Sequence, residues 1–274
     1  MKAAAFAYTR PAALADALRA AGRDARFVAG SQSLGPMLNL RLAEPPALVD
    51  VRRLPELRGA RVEGGRLHLG AAVTHAEIED GAVPDTTHGM LPAVARGIAY
   101  RAVRNRGTLG GSLAHADPAA DWVNAMTVLG ARCHIAGPDG RRVLPVHEFL
   151  QGTYRTALGP GELLVEVELP AFSERMRWGY YKVAAKVGEF ASAIGAAVHD
   201  PALAMTHLLV GAIEARPLLL PPFAGALELA GDAAIEAFGA RIAAALPQAD
   251  AVFVHQHATA LARAVARLRA EGAA

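Results

Sequence analysis

Cysteine is almost missing from this chain: there is one, Cys133, among 274 residues. A single thiol excludes an internal disulfide, and it excludes a cysteine-ligated iron–sulfur cluster or a thiolate zinc site built by this chain alone. Long apolar runs are missing too. Hydrophobic residues make up 53% of the chain, much of it alanine, yet no uncharged stretch reaches the roughly 18 residues a membrane-spanning helix needs. The first residues hold one early lysine, Lys2, and no continuous apolar core, so no export signal is expected and the cytoplasm is the expected setting. Charge of one sign is lacking as well. The 28 basic and 26 acidic residues leave a net charge of +2, and the basic residues are scattered, which argues against a nucleic-acid groove. No G-x-G-x-x-G follows the first expected strand, no Walker lysine pattern occurs, and no G-x-S-x-G elbow marks a hydrolase.

What is there reads as alternating short elements with an all-helical end. A helix is expected from Pro11, with Leu14, Ala17, Leu18 and Ala21 on one face and Gly22 as its stop. A strand over 26–29, a segment over 35–41 and a strand over 48–51 complete a β-α-β-like unit. Gly64-Gly65 reads as the turn of a hairpin, and Thr74-His75-Ala76-Glu77 as a helix-opening capping box. The run 88–100 reads as helical, Pro118 as the opening of a helix over 119–129, and 132–136 and 163–169 as strands, with Arg52-Arg53 and Arg141-Arg142 as solvated turns. Pro170 marks a boundary. Strands over 177–184, 190–198 and 207–213 then precede two alanine-rich helices over 232–245 and 251–270, an α+β order whose sheet is expected to be antiparallel. His255-Gln256-His257 is not read as a metal pair, because i, i+2 spacing on a helix points the rings apart; surface or capping roles are expected.

Two loops carry the chemistry. Ala29-Gly30-Ser31-Gln32-Ser33-Leu34 follows an apolar strand, and Arg104-Asn105-Arg106-Gly107-Thr108-Leu109-Gly110-Gly111-Ser112 leads into His115-Ala116-Asp117-Pro118-Ala119-Ala120-Asp121. Glycines leave the main chain bare while serine and threonine hydroxyls add donors, which is what a pyrophosphate requires from both sides.

The two loops in this order, with Pro46-Ala47-Leu48-Val49-Asp50-Val51, Gly152-Thr153-Tyr154-Arg155, Glu162-Leu163-Leu164-Val165-Glu166-Val167-Glu168-Leu169-Pro170, Gly179-Tyr180-Tyr181-Lys182 and Phe190-Ala191-Ser192-Ala193, resemble the FAD-binding medium subunit of molybdenum hydroxylases, the carbon monoxide dehydrogenase and xanthine dehydrogenase family. The resemblance covers residues 1–200 and fades beyond. It implies an α+β chain: a two-lobed FAD-binding domain of the vanillyl-alcohol-oxidase-like, PCMH-type fold over 1–170 (lobes about 1–55 and 56–170), and a C-terminal antiparallel sheet-and-helix domain over 171–274. It implies FAD contacts at Ala29, Gly30, Ser31, Gln32, Ser33 and Leu34, and at Thr108, Leu109, Gly110, Gly111 and Ser112. It further implies a hydrogen-bond acceptor at Asp121, an apolar contact at Leu164, a cation near the flavin at Lys182 and a stacking aromatic at Phe190. No catalytic acid–base residue and no metal ligand is assigned.

Ser31 stands where many relatives have glycine and Ser112 where many have asparagine. Function by resemblance is electron transfer: substrate oxidised at a molybdopterin centre in a large partner subunit, electrons passed through 2Fe–2S clusters of a small partner to this chain's FAD, and on to an external acceptor, in a heterotrimer that doubles into a dimer of heterotrimers. Two other readings stand beside it, a self-sufficient flavin oxidase or dehydrogenase and a non-enzymatic assembly subunit that has lost FAD. Flavin reduction by substrate without partners separates the first; failure to hold FAD marks the second.

Overall fold

The computed structural model describes residues 2–22 and 24–271. The first lobe runs β1 (Ala7–Thr9), α1 (Leu14–Ala21), β2 (Ala25–Val28), α2 (Leu34–Asn39) and β3 (Ala47–Asp50). Its sheet has the order β1-β3-β2 and is parallel throughout. The helix expected from Pro11 begins three residues later, and buries Leu14, Ala17 and Ala21, the i, i+3, i+7 spacing that faces a core. Strand β1 had no sequence signal, because its three residues are all exposed. It is held by Tyr8, whose hydroxyl donates to the buried carboxylate of Asp50 at the end of β3, and by Arg10 and Arg52, which donate to the same group at 3.0 and 2.7 Å. Burial pushes Asp50 up, but these donors outweigh it and hold the carboxyl well below its usual range.

The second lobe contains β4 (Ala60–Glu63), β5 (Arg66–Gly70), α3 (His75–Glu79), α4 (Met90–Arg96), α5 (Arg101–Arg104), α6 (Leu109–His115), α7 (Asp121–Val128), β6 (Arg132–Gly137), β7 (Gly140–Pro145), α8 (Val146–Phe149), β8 (Leu150–Gly152), β9 (Arg155–Thr156) and β10 (Leu163–Pro170). Its main sheet is antiparallel with the order β4-β5-β10-β6-β7. One face is apolar: Leu67, Leu69, Cys133, Ile135, Val167 and Leu169 are all essentially inaccessible. They pack in the same core as Trp122, Val123 and Met126 of α7. The capping box is present as read, with Thr74 and Glu77 bonding reciprocally. Two expectations need correction. The run 88–100 is not one helix; it breaks at Gly97, and Ala99 takes a φ of 41° before α5 begins. Arg141-Arg142 is not a free turn but part of β7, where Arg142 pairs with Glu162 at 2.6 Å.

The third region is an antiparallel sheet of β11 (Arg177–Val183), β12 (Ala193–Asp200), β13 (Met205–Gly211) and β14 (Leu218–Leu220), in that order, with α9 (Gly231–Ala245) and α10 (Ala251–Glu271). The strand expected over 190–198 starts at Ala193, so Phe190 belongs to the β11–β12 connection. Both faces of the sheet are covered. Ile194, Ala196 and Val198 join the core of the second lobe, whereas Ala197 joins the core that Phe238, Leu261 and Val265 build from α9 and α10. Helix α10 lies so close that a Cβ on Gly195 would fall 2.3 Å from the Ala260 carbonyl carbon. His255 is exposed as expected, but His257 is not a surface residue: it is fully buried with its ring stacked 3.9 Å from that of Phe253.

Candidate functional site: two interlocked glycine loops

Residues separated by more than seventy positions meet here. A Cβ on Gly30 would lie 2.1 Å from the carbonyl oxygen of Arg106, so the two loops touch main chain to main chain and only glycine permits it. The second loop is locked in turn to the start of α3. Leu109 N–H donates to Val73 O at 2.9 Å, Gly110 N–H to Ala71 O at 2.9 Å, and His75 N–H to Gly107 O at 3.0 Å. Thr108 caps α6, its hydroxyl accepting from Gly111 N–H at 3.1 Å, while its carbonyl accepts from Ser112 N–H at 3.0 Å.

The amides of Leu109, Gly110, Gly111 and Ser112 are therefore already engaged inside the protein. The first loop differs. Among the described residues, the N–H groups of Ser31, Gln32, Ser33 and Leu34 meet no protein acceptor, and Gln32 folds its side chain back to donate to Gly30 O at 3.0 Å. Four consecutive unpaired amides, flanked by the hydroxyls of Ser31 and Ser33, are a donor set suited to a multiply charged anion such as a dinucleotide pyrophosphate. Ser31 itself sits at φ 63°, the left-handed region that favours glycine. That is the physical reason a glycine suits this position, and the serine holds the same loop shape at a cost.

Asp121 and Lys182, named independently in the sequence, lie together. Lys182 Nζ donates to Asp121 Oδ2 at 2.8 Å and Tyr180 OH to Asp121 Oδ1 at 3.0 Å. Burial raises the Asp121 pKa, opposed by the Lys182 charge and the two hydrogen bonds. Lys182 also reaches Gly97 O at 3.4 Å. Leu164 is buried in β10 opposite Ile135, at the point where the pairing with β6 shifts register. Phe190, in the β11–β12 connection, is 67% exposed.

One residue was not singled out from the sequence. His75 is buried, its Nδ1 accepts from Trp122 Nε1–H at 2.9 Å, and a Cβ on Gly107 would come within 2.6 Å of its Nε2. Burial and the nearby charge of Arg104 lower its pKa to about 4, so the ring is neutral at neutral pH, with its proton on Nε2. The capping-box motif hid it: only the contact with a loop thirty residues away shows that the histidine supports the second glycine loop.

The chain matches the family described as the FAD binding domain in molybdopterin dehydrogenase over residues 4–172. It is 35% identical to the carbon monoxide dehydrogenase medium chain of Hydrogenophaga pseudoflava over 232 residues, 83% of this chain and 81% of that one. With the caffeine dehydrogenase subunit beta of Pseudomonas sp. (strain CBB1) it shares 35% identity over 202 residues, 72% of this chain and 68% of that one. Among solved structures, a chain of quinoline 2-oxidoreductase from Pseudomonas putida 86 superimposes with a TM-score of 0.85 at 32% identity, covering 99% of both chains. On this match and these relatives, the chain belongs to the family of FAD-binding domains of molybdopterin dehydrogenases.

Proposed function

We propose that this chain is the FAD-carrying electron-transfer subunit of a molybdenum-containing hydroxylase or dehydrogenase. It takes electrons from iron–sulfur clusters of a small partner, downstream of a large molybdopterin subunit, and passes them to an external acceptor. The observation that carries the reading is the first loop, whose four amides, unpaired among the described residues, are held against the second loop by a contact only glycine allows. The relatives are named for substrates as unlike as carbon monoxide, caffeine and quinoline, so the substrate is set outside this chain. The single cysteine agrees with iron–sulfur ligation residing in a partner.

Bound FAD supplies the capacity to take electrons one at a time and release them singly or in pairs. The protein's part is to bind and to tune. The amides of Ser31 to Leu34 hold the pyrophosphate, with Ala29 and Gly30 shaping the approach. Thr108 to Ser112 line the other side mainly by shape and by the Ser112 hydroxyl, since four of that loop's amides are spent internally. Leu164 gives an apolar contact and Phe190 a stacking surface. Lys182 places a cation near the flavin, and Asp121 fixes and partly neutralises it.

The finer architecture belongs to the same proposal: a vanillyl-alcohol-oxidase-like, PCMH-type fold, a division near residue 170 with lobes meeting near residue 55, and a cytoplasmic dimer of heterotrimers. The test is a visible spectrum of the purified chain with and without added FAD, repeated on Ser33→Glu. Ser33 is exposed, so a carboxylate there repels the pyrophosphate without entering the core. Flavin bound by the parent and lost in the variant supports the loop assignment; equal occupancy in both overturns it.

A further inference from the structure

The outer face of the second-lobe sheet carries a cluster that the flavin site does not use. In the register of β5, β10 and β6, His68 lies opposite Glu168 and His134 opposite Glu166. The neighbours on either side, Leu67, Leu69, Cys133, Ile135 and Val167, point into the core, so these four polar residues share the opposite face. His68 Nδ1 is 2.8 Å from Glu166 Oε1, His134 Nε2 is 2.6 Å from Glu168 Oε2, and His134 Nδ1 is 4.0 Å from Glu166 Oε1. The two imidazoles meet edge to face with centroids 6.1 Å apart.

We propose that His68, His134 and Glu166 form a binding site for a divalent late first-row metal ion of the Zn2+ class. One ligand atom from each of the three lies within 4.8 Å of the others. In a tetrahedral zinc site, Zn–N and Zn–O bonds of about 2.0–2.1 Å set ligand atoms about 3.3 Å apart, so small side-chain rotations close the set. The donors also decide the metal. Two imidazoles with one carboxylate suit zinc and its neighbours, whereas magnesium and calcium prefer oxygen alone. Glu168 completes the arrangement from outside the ligand set. By accepting from His134 Nε2–H it leaves the Nδ1 lone pair facing Glu166, the carboxylate–histidine support typical of metal sites.

Without metal, the opposing charge is met by arginines at the edge. Arg61 donates to Glu166, and Arg66 pairs with Glu168 at 2.9 Å. Burial pushes the Glu166 pKa up, but Arg61 and His68 outweigh it and hold the group ionised. Arg61 is half exposed and free to swing into solvent when a cation replaces it. His68 then carries its proton on Nε2 and turns Nδ1 to the metal. No sequence spacing announces this site, because each ligand comes from a different strand, tens of residues from the next.

The test is titration of the untagged full chain with Zn2+ alone, followed by calorimetry and thermal unfolding, with Co2+ spectra as a second readout. One equivalent should bind, raise Tm, and give the absorption of a low-coordinate Co2+ site. His68→Ala and His134→Ala, both on the outer face and so compatible with folding, should each abolish this stoichiometric binding. Glu168→Ala should weaken it by about 10- to 100-fold, and Arg61→Gln, which frees Glu166, should tighten it. The proposal is overturned if the parent binds Zn2+ no more tightly than the His68→Ala, His134→Ala double variant, or if that variant keeps the Tm rise. FAD occupancy is read separately and is expected to be unchanged, so this test stands or falls apart from the flavin assignment.

Discussion

Ser31 holds the first glycine loop in a backbone conformation that suits glycine. The left-handed region costs an L-residue about 1–2 kcal/mol, part of which glycine returns through its greater unfolded-state entropy. Ser31→Gly, starting from φ 63°, should therefore stabilise the protein by about 0.5–1 kcal/mol in denaturant unfolding while weakening FAD binding through the lost hydroxyl. Equal or lower stability in that variant would show that the loop is not strained. His75 gives a pH signature. Its folded pKa of about 4 lies below the usual 6.5, so the unfolded chain binds more protons between those values and stability falls as pH drops through that window. The contribution is complete above pH 6.5 and about 3 kcal/mol is lost by pH 4. His75→Gln keeps an acceptor for Trp122 but removes the titration, and its stability profile should be flatter than the parent's between pH 6.5 and 4. Superimposable profiles would mean the ring is not buried as described.

Helix α7 and strand β11 are joined by the Asp121–Lys182 pair, with side chains only 6% and 15% exposed. Removing one partner of a buried pair leaves an uncompensated charge, so Lys182→Met should cost about 3–5 kcal/mol. It should also lower the flavin midpoint potential, because a cation that favours the reduced, anionic ring is gone. Asp121→Asn acts in the opposite direction, unmasking the lysine and raising the potential. If redox titration finds neither shift, the pair is structural and Lys182 leaves the flavin site.

This pair also marks how far the sequence is readable at the scale of elements. Glycine loops, the capping box, the hairpin at Gly64-Gly65 and the apolar run of β10 each carry a local signal, and each forms where that signal stands. What is not local stays hidden. Strand β1 buries nothing, β7 reads as charged turn because its arginines find Glu162 only through the fold, and His75 gains its role from contacts with Gly107 and Trp122. Gly110 is a similar case. Its bare Cα reads as room for phosphate, yet a Cβ there would meet Ala71 Cβ at 2.4 Å; a large side chain at 110 would break the lobe rather than block a ligand, and Ser33 is the better probe.

At the scale of the molecule, Pro170 ends the strand that closes the FAD-binding lobes, yet it does not end their core. Tyr180, Ile194, Ala196, Val198 and Leu209, all beyond that boundary, pack in one continuous apolar cluster with Trp122, Val123 and Met126. Tyr180 and Lys182 also supply the donors that satisfy buried Asp121. Cutting the chain after Pro170 would uncover that apolar face of α7 and remove both donors of Asp121, a combined loss of several kcal/mol. Natural domains have about 5–15 kcal/mol in total, so the 1–170 fragment should be destabilised enough to show a broad, low-temperature transition or to aggregate. The full chain should melt in one cooperative step, because β12 and β13 belong to the cores on both of their faces. Calorimetry on the two proteins decides the matter: a sharp, reversible transition of the fragment near that of the full chain would mean that the lobes are energetically independent and that the third region is an appendage, whereas loss of cooperativity in the fragment makes the C-terminal sheet part of what holds the two glycine loops in place.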